Sequence, residues 1–155
     1  MRAAAIGVAL AGLGIACYLT VVHYTGGTPA CALADGCATV QQSDYAALAG
    51  VPVAVLGVAG YLAVLAALVR DGEAWRTAAA FLSLVGLGFS AWLTYVEVGL
   101  LRAICIWCVG SAVCMALLAV LTVGRMLRPQ AANGSYVPNV QTLPSGSRAL
   151  NSREP

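Results

Sequence analysis

The sequence predicts an all-α integral membrane protein: a bundle of four transmembrane helices with a short surface helix in the first extracytoplasmic loop. Three observations carry this expectation. The first is composition. Of 155 residues, 61% are hydrophobic and 9% charged, and the mean hydropathy is +0.87, whereas a soluble domain carries about 25% charged residues. Eight basic and six acidic side chains cannot cover a water-facing surface. The second is the presence of four apolar segments near the roughly 20 residues needed to cross a bilayer. The third is the placement of arginines at alternate ends of those segments.

Span one is expected from about Ala3 to Tyr24 and span two from about Val51 to Val69. Span three is expected from about Thr77 to Val98, and span four from about Ile104 to Leu127. The apolar run behind Arg2 exceeds the roughly 7–15 residues of a signal-peptide core, so it reads as a span. Gly57 and Gly60 in span two, and Gly86 and Gly88 in span three, read as close-packing positions between helices. Between spans one and two, Ser43 to Gly50 reads as the short surface helix, with Ser43 as N-cap and Gly50 as stop. Pro52 suits the first turn of span two. Residues 1–128 form one transmembrane domain. Residues 129–155, rich in Asn, Gly, Ser, Pro and Gln without apolar period, read as a disordered tail.

Orientation follows from the arginines. Arg2, Arg70, Arg76, Arg125 and Arg128 fall on one side and Arg102 on the other. The positive-inside rule then makes both termini cytoplasmic. The loop from about Thr25 to Gly50 and the turn near Gly99 to Ala103 face outward. The small net charge of +2, with no basic run, gives no footing for nucleic acid.

Four of the six cysteines fall on the outward face, where disulfides persist. Cys31 and Cys37 are spaced C-x5-C in the first loop. Cys105 and Cys108 form C-I-W-C at the outward start of span four. A C-x-x-C at a helix start brings two sulfurs within reach, and the helix N-terminus favours one thiolate. That thiolate is the attacker in thiol–disulfide exchange. Three other uses of these cysteines compete. A Cys31–Cys37 staple would close too small a loop to stabilise much. A four-thiolate zinc site prefers C-x2–4-C spacing and a reducing compartment, so no metal is expected. Haem attachment needs C-x-x-C-H, and Val109 follows Cys108. Cys17 and Cys114 lie inside spans and read as buried small hydrophobes.

Thiols at a membrane boundary need an electron sink that lives in lipid. The chain shows no flavin or nicotinamide fingerprint, and Glu97 is the single charge near a span, at its outward end, so no ion pathway is suggested. By elimination the sink is a quinone, menaquinone or ubiquinone. The competing class is a non-catalytic membrane scaffold or small-molecule binder with structural disulfides.

An ordered set of residues resembles the vitamin K epoxide reductase family, in its bacterial disulfide-forming branch. The set comprises Cys31-x5-Cys37, Ser43-Asp44-Tyr45-Ala46-Ala47-Leu48-Ala49-Gly50-Val51-Pro52, Gly57, Tyr61 and Cys105-Ile106-Trp107-Cys108. It covers roughly residues 3 to 127. The disulfide bond protein B type of quinone-linked oxidant looks different, since there the C-x-x-C precedes the wider pair.

The resemblance implies a multi-pass protein of the bacterial inner membrane that is reoxidised by a quinone. A separate thioredoxin-like protein, of the disulfide bond protein A kind, would give electrons to Cys31–Cys37. That pair would reduce Cys105–Cys108, with Cys105 accepting the exchange and Cys108 against the quinone. Which of Cys31 and Cys37 meets the partner stays open. Ser43 reads either as a cap alone or as a hydrogen-bonding group near the pocket. Trp107 reads either as a boundary aromatic or as a shield for the sulfurs facing the ring. Vertebrate members carry an Asn and a Tyr on the vitamin K ring where this chain has Val53 and Ala112. That departure favours plain quinone reduction at a pocket including Val53 and Ala112. His23, Tyr18, Trp92 and Tyr95 read as boundary or packing residues, and Asp35 and Asp44 as solvated loop charges.

Overall fold

The computed structural model describes residues 1–30, 36–48 and 50–127. Cys31, Asp35 and the tail beyond Leu127 lie outside the described residues. Helix α1 (Arg2–Thr25) leads to a short helix α2 (Gly36–Gln41) and a single 3-10 turn (Asp44–Ala46). Strands β1 (Ala47–Leu48) and β2 (Val51–Pro52) follow, then helices α3 (Val53–Val69) and α4 (Glu73–Tyr95). A π-helical turn (Val96–Leu101) continues α4, and α5 (Ile106–Leu127) completes the bundle.

The four long helices close a ring in which α1 packs on α3, α3 on α4, α4 on α5 and α5 on α1. Three of them, α1, α4 with its π turn, and α5, are long and apolar enough to cross a membrane. At 17 residues α3 is shorter. It extends about 25 Å at 1.5 Å per residue, just under a hydrocarbon core of about 30 Å. Leu10, Val21, Leu62, Phe81, Leu84, Val85, Leu117 and Val120 are exposed around the ring. In water such a belt would be an aggregation patch; in lipid it meets its own kind. Thr20, Ser83 and Thr122 donate their hydroxyls to the carbonyls of Ala16, Ala79 and Leu118. Those side-chain groups therefore need no water, as a lipid environment demands.

Small residues set the helix spacing. Ala5, Ala9, Gly12 and Ala16 lie along the buried stripe of α1. A Cβ on Gly12 would sit 2.2 Å from the Tyr61 ring, so glycine there lets α3 lay its largest buried side chain against α1. The Tyr61 hydroxyl crosses to α5, where it donates to the Ser111 carbonyl (2.9 Å) and shares a hydrogen bond with its hydroxyl (3.0 Å). Of the four glycines read as packing positions, Gly86 seats Met115, whose Sδ would be 2.8 Å from an added Cβ. Gly57 has only Ala16 at ordinary contact distance, and Gly60 and Gly88 meet nothing within 4 Å.

Two local expectations need correction. The run from Ser43 to Gly50 is no surface helix. It folds as the 3-10 turn and a two-stranded antiparallel pair, Ala47 opposite Pro52 and Leu48 opposite Val51. Pro52 biases Val51 toward extended backbone, Gly50 turns the chain at φ 81°, and the short Ala-Leu run cannot nucleate a helix against them. The helix in this loop is α2, further upstream. Cys17 is exposed on the outer face of α1 rather than buried.

Arg2 pairs with Asp71 (2.6 Å) and donates to the Val69 carbonyl (2.5 Å), so the start of α1 and the α3–α4 connection share one end of the ring. Cys37 and Cys105 lie at the other.

Candidate active site at the cysteine end

The site begins where α4 stops. The π turn and Arg102, held in left-handed backbone at φ 47°, swing the chain from α4 into α5. π turns and left-handed non-glycine residues concentrate at functional sites. Here the pair carries Glu97 inward, to 4% exposure, and sets the N-terminus of α5 beside it.

Cys105 caps that N-terminus. Its carbonyl accepts the Val109 N–H (3.0 Å), and its Sγ accepts the Cys108 N–H (3.4 Å). Its own N–H donates to Glu97 Oε2 (3.2 Å). Sulfur thus occupies the place a serine oxygen takes in an ordinary N-cap. Cys105 is fully buried, one residue ahead of the membrane-crossing stretch of α5, and its thiol is free, as is that of Cys108. The Cys105 thiol lies below its ordinary range. The hydrogen bond with the Cys108 thiol is the main cause, burial works against it, and backbone N–H groups of the first turn help. The lowered value favours the Cys105 thiolate, the form that acts in thiol–disulfide exchange.

Cys37 is disulfide-bonded and 1% exposed. It stands in the first turn of α2, next to Gly36. A Cβ on Gly36 would fall 2.6 Å from the Ile104 carbonyl oxygen and 3.2 Å from its nitrogen. The backbones preceding Cys37 and Cys105 therefore touch, and only glycine permits this approach. A second clamp acts on the chain entering the first loop. The Ala30 N–H donates to the Tyr18 hydroxyl (3.0 Å), and the Ala30 carbonyl accepts from Trp107 Nε1 (2.9 Å). The Tyr18 and Trp107 rings pack 4.8 Å apart, tilted.

Below the cysteines a cavity of about 160 Å³ opens between the helices. Its wall is chiefly apolar, with Leu19, Val53, Phe89, Leu93 and Met115 among the contributors. Its polar groups include Ser43, Ser90, Glu97, Cys108 and Ser111, together with the Tyr45 and Tyr61 hydroxyls. Such a wall suits a flat apolar ring with a few polar atoms.

Of the residues singled out from sequence, Cys108, Ser43 and Val53 lie on this wall. The Ser43 hydroxyl donates back to the Val40 carbonyl (2.8 Å) and makes no capping bond. Trp107 is not on the wall, because its ring is engaged with Tyr18 and Ala30. Ala112 is not on it either: α5 contributes Cys108, Ser111 and Met115, a stripe that runs to the other side of Cys108. Cys31 lies outside the described residues. Glu97 was legible only as a charge near a span end; its bond to the Cys105 N–H depends on the π turn, which has no sequence signature here. Gly36 and Tyr18 were equally silent as site residues.

Two cysteines at the start of a helix, a disulfide-bonded third nearby and a carboxyl bonded to the Cys105 N–H form a centre for thiol-based redox chemistry. A model of the vitamin K epoxide reductase family matches residues 3–123, which take in every described residue of this centre. The protein is an oxidoreductase of the membrane, and the chain belongs to the vitamin K epoxide reductase family.

Proposed function

We propose that this protein is a quinone-dependent thiol oxidoreductase of the bacterial disulfide-forming branch of its family. It reoxidises a separate thioredoxin-like protein outside the cytoplasmic membrane and so supports disulfide formation. All four long helices cross the bilayer, with both termini cytoplasmic and the cysteine end outward. Residues 1–128 form the catalytic domain and the tail beyond takes no part.

The observation that carries this reading is the position of Cys108: its N–H bonds Cys105 Sγ (3.4 Å), and the residue lines the apolar cavity. Electrons enter when a partner thiolate attacks the Cys31–Cys37 disulfide. Resolution of the mixed disulfide leaves the partner oxidised and the loop pair as two thiols. A loop thiolate then attacks Cys105 of the oxidised C-I-W-C. That exchange restores the loop disulfide and leaves Cys105 and Cys108 reduced.

A quinone bound in the cavity supplies a sink for two electrons and two protons. Val53, Phe89, Leu93 and Met115 hold its ring by apolar contact, and Ser43 and Ser111 are among the polar groups lining its cavity. The Cys105 charge and the Cys108 proton leave as their S–S bond forms again. Val53 in place of a hydrogen-bonding Asn favours simple reduction of the ring over opening of an epoxide.

The test mixes purified protein with a reduced thioredoxin-like donor and a short-chain quinone. Wild type oxidises the donor and reduces the quinone, and Cys108→Ala does neither. Equal quinone reduction by the two proteins would overturn the electron path. Failure of both to react would leave the scaffold reading standing.

A further inference from the structure

We infer that Glu97 is a catalytic residue: its carboxylate takes the proton of the Cys108 thiol as the Cys105–Cys108 disulfide forms, and passes it into the cavity. This deepens the proposed function and rests on it for the identity of the acceptor.

The argument is geometric. Glu97 is buried, lies on the same cavity wall as Cys108, and accepts the Cys105 N–H on its Oε2 at 3.2 Å. It thus adjoins the C-I-W-C turn and faces the space where an acceptor binds. Among the described residues no cation pairs with it; the ion pair found is Arg2–Asp71, at the far end. A fixed charge buried without a counter-ion is costly. A carboxylate that accepts a proton as the disulfide forms sheds that buried charge, and intramembrane ionisable groups are commonly retained for such relays. The titratable groups facing it are Cys105 and Cys108 from the α5 side, with Tyr45 and Tyr61 elsewhere on the same wall.

The step balances. Cys105 enters as thiolate, its proton already lost to water. Cys108 gives its proton to Glu97, and the S–S bond forms as two electrons leave for the quinone. The quinone takes two protons, one from Glu97 and one from water at the outward face.

Two readouts test this with Glu97→Gln, which keeps an acceptor for the Cys105 N–H. In the reduced, quinone-free protein, Cys108 alkylation is followed against pH by peptide mass mapping. The wild-type profile is expected to contain an inflection that E97Q lacks. With dithiothreitol and a short-chain quinone, E97Q is expected to turn over about 100-fold more slowly, the lower range for general acid–base help, with little change in KM. Identical alkylation profiles and equal turnover would overturn the inference. A wild type that reduces no quinone would sink the proposed function, while the alkylation profile would still decide whether Glu97 and Cys108 share a proton. If E97Q does not fold, infrared difference spectra of wild type decide: a carboxyl band that changes when the dithiol is oxidised supports the inference, and no change refutes it.

Discussion

Replacing Gly36 by Ala should separate the two cysteine couples without unfolding the bundle. The new Cβ would lie 2.6 Å from the Ile104 carbonyl oxygen, and ordinary contact begins near 3.4 Å. The backbones before Cys37 and Cys105 must therefore part by about 0.8 Å, because both obstructing groups are main chain and neither can rotate away. Overpacking of this kind costs about 1–3 kcal/mol. The effect on exchange is separate: sulfur must approach sulfur in line, and a misplacement of ~1 Å can cost about 100-fold in rate. The assay starts from a reduced loop pair, stops transfer to Cys105–Cys108 with acid, and maps each cysteine by alkylation and mass. Gly36→Ala should slow transfer about 100-fold, while Gly27→Ala, whose Cβ meets only Thr25 Oγ1 at 3.6 Å, should leave it unchanged. A folded Gly36→Ala protein exchanging at the wild-type rate would show that the Gly36–Ile104 approach does not position the sulfurs.

Other outcomes follow from the same geometry. Gly12→Ala drives a Cβ into the Tyr61 ring and should destabilise the bundle by about 1–3 kcal/mol, read as a lower unfolding temperature in detergent. Tyr61→Phe loses both hydrogen bonds to Ser111 and should cost about 1 kcal/mol in the same measurement. Because the Cys108 thiol chiefly holds the Cys105 thiol low, Cys108→Ala should move Cys105 alkylation to higher pH. By linkage, the folded value of Cys105 lies below the unfolded one. Its contribution to the reduced protein is therefore fully present above the ordinary thiol range and is lost as pH falls through the lowered value, which a pH series of unfolding temperatures would reveal. Cys17 is exposed on α1, Cys114 packs against the core, and neither lines the cavity; replacing both with Ala should leave quinone turnover nearly intact.

The helices were legible because lipid imposes a strong rule: backbone polar groups must bond within the helix and side chains must be apolar. Span one was expected within a residue of α1 at either end, and span four within two of α5. The four cysteines and their order were equally visible, since their chemistry depends on identity and spacing. Expectation and structure part where specific contacts, rather than composition, decide the backbone or the side chain's place. Ser43–Gly50 has the composition of a helix, but the strand pairing to Val51 and Pro52 sets its backbone. Trp107 between two cysteines suggests a pocket residue, yet Tyr18 and the Ala30 carbonyl hold it elsewhere.

What the sequence by itself determined is a membrane protein with helical spans, thiols gathered near one end, and a family. Only the tertiary structure decided which groups touch. Glu97 reaches the C-I-W-C because a π turn rotates the end of α4, and Cys37 sits beside Cys105 because Gly36 has no side chain to hold Ile104 away. One is a contact across eight residues and the other joins the first loop to the entry of α5, both set by close packing to tenths of an ångström, and hydropathy or motif spacing has no reach at that scale.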